Sequence, residues 1–513
     1  MNVKKKFISS LGWQSVNVLT QITLQLIFIA VMVRQLSKDD MGVMGIALAL
    51  VGFIEIFSQI GIGPALIQRK DLTPSQISGA FFISLLLGIA FTVSLYFLAP
   101  AAGKFWNHAP LTPVLQVIGL SFLISAISIV PKSLIIKKMQ FKKLFFASAT
   151  AMTIGNLIIG ITLAMMGYKI WAYVFALLSQ NLIMTIAFWI QNPVDIRAKW
   201  RWADIKGMMS YGAGSTLFNM FNYAATKADT LIVGKFFDVG AGAAGESRMA
   251  ATGVYDRSVW LMGLPITVLG KLSDSVMFSG LSMIQDEKQK LQKAFFGGAY
   301  FISLLIIPAC VFMVFFTEEI VLLFLGDQYV TAIPVVRILF IGVAIRSLIK
   351  LSDAVVRALK AVYRASLIKF LFLVLVCAGT YYGLSSGLTG VAWAIVGAIS
   401  MQFIVMTWLS LRLIGADFKT MLGKMVPGLI LGLIVLCASS LVTYLLDLIE
   451  LNFLANLIIG IAFNGIAVVL IAIQAPWIFG KGSDNILKTL AAKYPKAPIL
   501  RTVNKKLDRK KRR

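Results

Sequence analysis

The sequence predicts an all-α integral membrane protein with about fourteen transmembrane helices. These form two pseudo-symmetric six-helix lobes around a central cavity, plus two extra C-terminal helices. Three observations predict it. Apolar residues are 58% of the 513 and charged residues only 14%, where soluble domains carry about 25% charged. The apolar residues lie in runs of the length that crosses a bilayer as a helix, about 20 residues, without the alternation of a β-barrel. Lys and Arg concentrate in every second connection, the asymmetry that marks cytoplasmic loops. A soluble enzyme, a secreted disulfide scaffold and a disordered chain are excluded.

In chain order the runs fall near 8–33, 41–64, 79–100, 111–131, 145–167 and 170–190. A second block follows near 208–233, 250–270, 294–317, 330–356, 365–382 and 388–411, then two more near 425–446 and 453–475. Lys4, Lys5 and Lys6 precede the first run as in a signal peptide. That run is too long for an h-region and has no small-x-small cleavage site, so it is expected to stay as a span. Gly and Pro punctuate the connections, as at 107–113 and 383–387. With the N-terminus placed in the cytoplasm, 36 of the 48 Lys and Arg fall on that side. Six lie opposite and six within spans, so both termini are expected in the cytoplasm. The basic tail, 476–513, is read as attracted to anionic membrane lipids rather than to nucleic acid.

An internal repeat supports the two lobes. Ser10, Gln14, Asn17 and Gln21 in span one share their 4, 3, 4 spacing with Ser215, Asn219, Asn222 and Thr226 in span seven, offset throughout by 205 residues. Each set lies on one helical face, and such a polar stripe is costly against lipid. Both are expected to face a cavity or another helix. Gly42-Val43 and Gly253-Val254 are a further pair, offset by 211. The resulting divisions are 1–207, 208–415, 416–475 for the added spans, and the tail.

Ionisable residues within spans are functional candidates by default. Span ten carries Arg346, Lys350, Asp353 and Arg357 at i, i+4, i+7 and i+11, within about 60° of arc on a helix. A net-positive stripe suits an anionic group such as a diphosphate, with snorkelling to the interface as the alternative for Arg357. Lys227, Asp229, Asp256 and Arg257 occupy spans seven and eight. Neighbours at i+1 or i+2 do not face each other on a helix, so Asp229 with Arg257, or Asp256 with Lys227, are the expected pairs. Glu55, read as mid-span with Ser58 and Gln59 on its face, is an ion- or proton-coupling candidate, as are Asp229 and Asp256. In all, six basic in-span residues face four acidic ones.

Other features carry little chemistry. The run Gly240-Ala241-Gly242-Ala243-Ala244-Gly245 fits G-x-G-x-x-G but lies in a connection between spans, outside any βαβ unit. No G-x-x-x-x-G-K-[ST] run is present, so no ATPase motif is found. The single His108, in a polar connection, and the three separated cysteines give no metal-ligand spacing. No cofactor is expected.

Several runs then resemble bacterial polysaccharide transporters, the Wzx-type flippases of the multidrug/oligosaccharidyl-lipid/polysaccharide exporter superfamily. They include Gly61-Ile-Gly-Pro-Ala-Leu-Ile-Gln-Arg-Lys-Asp-Leu-Thr73, Met139-Gln-Phe141-Lys and Gly167-Tyr-Lys-Ile-Trp171-Ala. The second block adds Lys227-Ala-Asp229-Thr-Leu-Ile-Val-Gly234-Lys235, Gly253-Val-Tyr-Asp-Arg257 and Arg357-Ala-Leu-Lys-Ala-Val-Tyr363-Arg. The resemblance covers nearly all of 5–415. It implies two six-helix lobes in a V that alternate between inward and outward openings. It further implies outward movement of a polyprenyl-diphosphate-linked oligosaccharide across the bacterial inner membrane; coupling to a proton or sodium gradient through an intramembrane carboxylate is an expectation beside it. The polysaccharide polymerase machinery is an implied partner. Arg346, Lys350, Arg257 and Lys227 would hold the diphosphate, with Asp353 beside them in the substrate site, and Gln14, Asn17, Gln21, Asn219 and Asn222 would hold the sugars. Trp260 stands where relatives carry a basic residue, and the insert at 238–246 departs from their pattern. The alternatives are a multidrug or organic-cation antiporter on the same fold, which calls for an acidic cavity, and a membrane glycan polymerase, which calls for a large outer loop.

Overall fold

In the computed structural model the described residues are 3–58, 62–69, 71–200, 213–238, 247–284, 286–449 and 451–474. Among them the chain is helical nearly throughout, with no strand. Most of the 238–246 insert and the basic tail lie outside the described residues, as do the side chains of Ser10 and Ser215.

The first block comprises α1 (Val3–Gln35), α2 (Lys38–Ser58), the short α3 (Ile62–Gln68), α4 (Pro74–Phe105), α5 (Leu111–Ile118) and α6 (Leu120–Lys137). It continues through α7 (Phe141–Ala151), a π-helical segment (Met152–Gly160), α8 (Ile161–Met165) and α9 (Ile170–Gln191). Next come α10 (Ala213–Phe236), α11 (Arg248–Met283), α12 (Lys288–Phe315), α13 (Thr317–Phe324) and α14 (Ile333–Ala358). The last are α15 (Val362–Gly383), α16 (Gly387–Ile414), α17 (Phe418–Asp447) and α18 (Phe453–Gln474). Eleven stretches among the described residues are long and apolar enough to cross a membrane. One of these, Val362–Ile414, contains both α15 and α16. The more polar α10 and α11, which hold Lys227, Asp229, Asp256 and Arg257, are not among the eleven. The chain is a multi-pass membrane protein.

Local chemistry sets several ends. Thr73 accepts from the Gln76 backbone N–H while the Gln76 side chain accepts from that of Thr73, and Pro74 opens α4. Asp417 caps α17 by accepting from Thr420, whose N–H and hydroxyl hold the carboxyl below its usual range. The second run, read as 41–64, is helical over its described part to Ser58 and again over Ile62–Gln68, with 59–61 outside the described residues. One expectation changes here. The eighth, read as 250–270, continues to Met283, a length of about 54 Å at 1.5 Å per residue that exceeds the bilayer core. His108 lies in a loop as expected; burial pulls its imidazole below the usual value, against the opposing pull of Asp39 and Asp40.

The chain divides into two compact units. The first comprises Met1–Leu272, Phe324–Val335 and Ala361–Gln402, the second Ser273–Leu323, Val336–Lys360 and Phe403–Arg513. In unit one, Ile62, Leu66, Phe81, Val130 and Leu134 form one apolar cluster between α3, α4 and α6. In unit two, α12, α14, α16 and α17 close over Phe295, Leu348, Leu351, Val355 and Ile414. Large apolar side chains such as Phe97, Tyr382 and Leu433 stay exposed on the helices, as expected where lipid replaces water.

Glycines let α2 reach the charged helices. A Cβ on Gly42 would sit 2.0 Å from the Met249 carbonyl oxygen, and one on Gly253 would sit 2.1 Å from that of Lys38. The α2 and α11 backbones therefore touch, as at small-residue helix crossings in membranes. Three residues on, Gly45 borders the Asp256 carboxyl, and Gly52 borders the Tyr223 hydroxyl. Gly253→Val is expected to lower stability by about 3 kcal/mol or more, because the clash is with backbone that cannot rotate away. Thermal unfolding of the purified protein in detergent checks this, and an unchanged midpoint would contradict the contact.

Candidate functional site

Four in-span charges of unit one, Lys227, Asp229, Asp256 and Arg257, lie on α10 and α11. Asp256 and Arg257 are each 3% exposed. Asp256 accepts from the Arg257 guanidinium at Oδ2 and lies 3.5 Å from Lys227 Nζ at Oδ1. Two cations thus share one carboxylate, and the cluster carries one net positive charge. The Lys227 side chain keeps 30% of its surface, so its ammonium is the accessible member. Arg257 Nε and Nη1 are buried without a hydrogen-bond partner, and Tyr173 and Tyr329 lie close enough to act on the guanidinium. Tyr173 itself packs edge-on against Phe28 of α1.

Asp256 with Lys227 is one of the two pairs the sequence predicts. The other, Asp229 with Arg257, does not form. Asp229 Oδ2 accepts from the Tyr255 hydroxyl at 3.0 Å and Oδ1 from the Thr230 N–H at 2.7 Å. Arg257 instead folds onto its own neighbour, Asp256. The rule that adjacent residues point apart describes Cβ directions. A guanidinium on a long stem reaches around the helix when the nearest carboxylate is next door and burial demands a counter-charge.

The two polar stripes differ in setting. Asn17 is 3% exposed and accepts from Ser148 Oγ of α7 at 2.6 Å and from Gln21 Nε2 at 3.1 Å. It joins α1 to α7, the interhelical bonding weighed against a cavity role. Gln14 and Gln21 are half-buried, with Gln14 Oε1 buried and without a partner. On α10, Asn219 is exposed, Asn222 is half-buried, and the Thr226 hydroxyl is turned back to the Tyr223 carbonyl.

In unit two, α14 carries Arg346 and Lys350 half-buried and Asp353 5% exposed. Arg357 donates from Nε to the Asp353 carbonyl at 3.3 Å, so it folds along its own helix. The stripe on α14 is continuous with the spacing read from sequence.

Glu55, read as mid-span, sits three residues before Ser58, the last residue of α2 that the structure describes. It lines a cavity of about 240 Å³ in unit one together with Lys132 and a set of serines. Sequence patterning singles out neither Lys132, just past the run near 111–131, nor the serines, each ordinary within an apolar run. A further buried cation, Lys369, is 1% exposed and lies 5.2 Å from the Phe218 ring centre. Among the described residues no group of His, Cys, Asp and Glu is placed to hold a metal ion.

Comparison with known proteins places these helices. The model of a family described as "Polysaccharide biosynthesis protein" matches residues 31–334. The lipopolysaccharide biosynthesis protein WzxC of Escherichia coli (strain K12) is 24% identical over 68% of this chain and 69% of its own. The teichuronic acid biosynthesis protein TuaB of Bacillus subtilis (strain 168) is 22% identical over 80% of this chain and 83% of its own. Among solved structures, the lipid II flippase MurJ in an inward closed conformation superposes with a TM-score of 0.67 at 15% identity, covering 90% of this chain and 98% of that one. An inward-facing MATE-family multidrug transporter of the MOP superfamily gives 0.64 at 15% identity, covering 78% and 98%.

Proposed function

Because the chain belongs to the polysaccharide biosynthesis protein family, we propose that it is a flippase that moves a polyprenyl-diphosphate-linked oligosaccharide from the cytoplasmic to the outer leaflet of the bacterial inner membrane. The observation that carries this reading is the net-positive cluster of Lys227, Asp256 and Arg257 within the membrane helices. A buried positive charge invites an anion, and a diphosphate offers several acceptor oxygens to an ammonium or a guanidinium. In this reading Lys227 of unit one, with Arg257 and Asp256 as the fixed charge behind it, is one candidate contact for the diphosphate, and Arg346 and Lys350 of unit two, on the same stripe as Asp353, are others. Amides at Gln14, Gln21, Asn219 and Asn222 offer donors and acceptors to sugar hydroxyls, while Asn17 steadies α1.

The proposal includes two six-helix lobes, 1–207 and 208–415, alternating in access, with both termini in the cytoplasm. It makes the protein a transporter and not an enzyme, driven by a proton or sodium gradient. Asp229 is its coupling carboxylate, since Asp256 is held between two cations and Glu55 shares a cavity with the Lys132 ammonium. The relatives' names support the substrate class: WzxC is named for lipopolysaccharide and TuaB for teichuronic acid biosynthesis, and MurJ is titled a lipid II flippase. Delivery to a polysaccharide polymerase follows from the same reading. The cation-antiporter alternative calls for an acidic cavity, which the cluster on α10 and α11 does not provide.

Native mass spectrometry of the protein purified in mild detergent tests the substrate class. The expected result is a co-purified polyprenyl-diphosphate glycan. Ordinary phospholipid alone, with saturable binding of organic cations, would contradict it and favour the antiporter.

A further inference from the structure

The cavity beside Glu55 has a chemistry of its own. Its polar lining is Glu55 from α2, Ser125, Ser128, Lys132 and Ser133 from α6, and Asn181 from α9. At about 240 Å³ it holds the equivalent of roughly eight water molecules. That is below the roughly 300–1,000 Å³ of sites for drug-sized ligands, so it admits one ring and not an oligosaccharide. Only Ser128 among the serines turns back onto the helix, donating to the Ser125 carbonyl at 2.8 Å. The side chains of Lys132, Asn181, Ser125 and Ser133 make no hydrogen bond or ion pair with the described residues, so their polar groups face the cavity unspent.

The walls are fixed in advance. Pro131, next to Lys132, has no N–H to give to the Ile127 carbonyl one turn back. The Trp189 indole N–H of α9 bonds that carbonyl instead, at 3.0 Å. The Thr185 hydroxyl of the same helix bonds the Ile124 carbonyl at 3.2 Å. Together these clamp α9 to α6 across the cavity. Gly63 of α3 completes the rim, where a Cβ would press to 3.3 Å from Ser133 Oγ.

The lining excludes simple ions. An ammonium in the wall opposes a metal cation, and a carboxylate opposes free phosphate. What matches is a neutral polyol: Glu55 accepts only, Lys132 donates only, and the serines and Asn181 do both. Apolar side chains such as Ile129 and Met184 supply a surface for the ring's C–H face. We propose that this cavity is a subsite for a single pyranose unit, built by α2, α3, α6 and α9. The proposal rests on the flippase reading for the glycan that supplies the sugar, and it concerns residues outside the charge clusters.

Saturation-transfer NMR on the full chain in lipid nanodiscs tests it, with the neutral sugars methyl glucopyranoside, methyl galactopyranoside and N-acetylglucosamine as probes. At least one pyranose is expected to bind in the wild type. Its affinity is expected to fall by roughly tenfold or more in both Asn181→Ala and Lys132→Met, since each loses a hydrogen bond to the ligand. Unchanged thermal unfolding shows that each variant is folded. No pyranose signal in the wild type, equal signals in both folded variants, or displacement of the sugar by sodium or inorganic phosphate would each overturn the subsite. If the lipid-linked glycan co-purifies but no pyranose binds, the subsite fails and the functional reading stands. If a pyranose binds in the cavity but only organic cations and phospholipid co-purify, the functional reading fails and the subsite stands.

Discussion

Arg257→Ala is expected to destabilise the protein by about 3–5 kcal/mol, the cost of removing one partner from a buried ion pair. Asp256, 4% exposed in its side chain, would keep only Lys227, and that contact is already the longer one at 3.5 Å. The loss follows from burial and not from the worth of the pair itself. Removing both charges should therefore recover much of it. Asp256→Asn combined with Arg257→Met is expected to unfold near the wild-type temperature, because the half-exposed Lys227 can turn to water. The same double variant is expected to lose transport, since the fixed charge behind Lys227 is gone. Thermal unfolding alongside glycan export separates the two effects. An Arg257→Ala protein that unfolds like wild type would show that the cluster contributes nothing to the fold.

Arg346→Ala with Lys350→Ala is expected to have the opposite profile: an intact fold and failed transport. Both residues are half-buried, and neither is the counter-charge of the buried Asp256. A charge-assisted hydrogen bond is worth about 1.5–3 kcal/mol, so losing two should weaken diphosphate binding by roughly a hundredfold or more. Binding of the lipid-linked glycan by native mass spectrometry, with thermal unfolding as the control, measures both. Wild-type binding in this variant would remove α14 from the substrate path.

Much of the helical order is legible in the sequence, because a bilayer admits so few backbone solutions that apolar run length settles each element. The α14 stripe and the Lys227–Asp256 pair are legible for a similar reason: helical spacing and the demand for counter-charges restrict the choices. Gly42 and Gly253 are visible as landmarks of the repeat. Sequence alone does not show that they meet, because contact between repeats is a tertiary fact. The Asp256–Arg257 pair is hidden by a rule about Cβ directions that a long side chain evades. The cavity is least legible of all. Its serines look like ordinary helix-packing residues until α2, α3, α6 and α9 bring them to Lys132 and Asn181.

Reconstitution in vesicles tests transport of a lipid-linked glycan. Purified protein would be placed in sealed vesicles loaded on one leaflet with a polyprenyl-diphosphate oligosaccharide, and a glycosidase added to the opposite side would report the glycan that crosses. The account predicts cleavage that rises with the amount of wild-type protein and stays at the protein-free level with the Arg346→Ala, Lys350→Ala variant. Cleavage at the protein-free level with folded wild-type protein, under an imposed proton or sodium gradient of either direction, would contradict it.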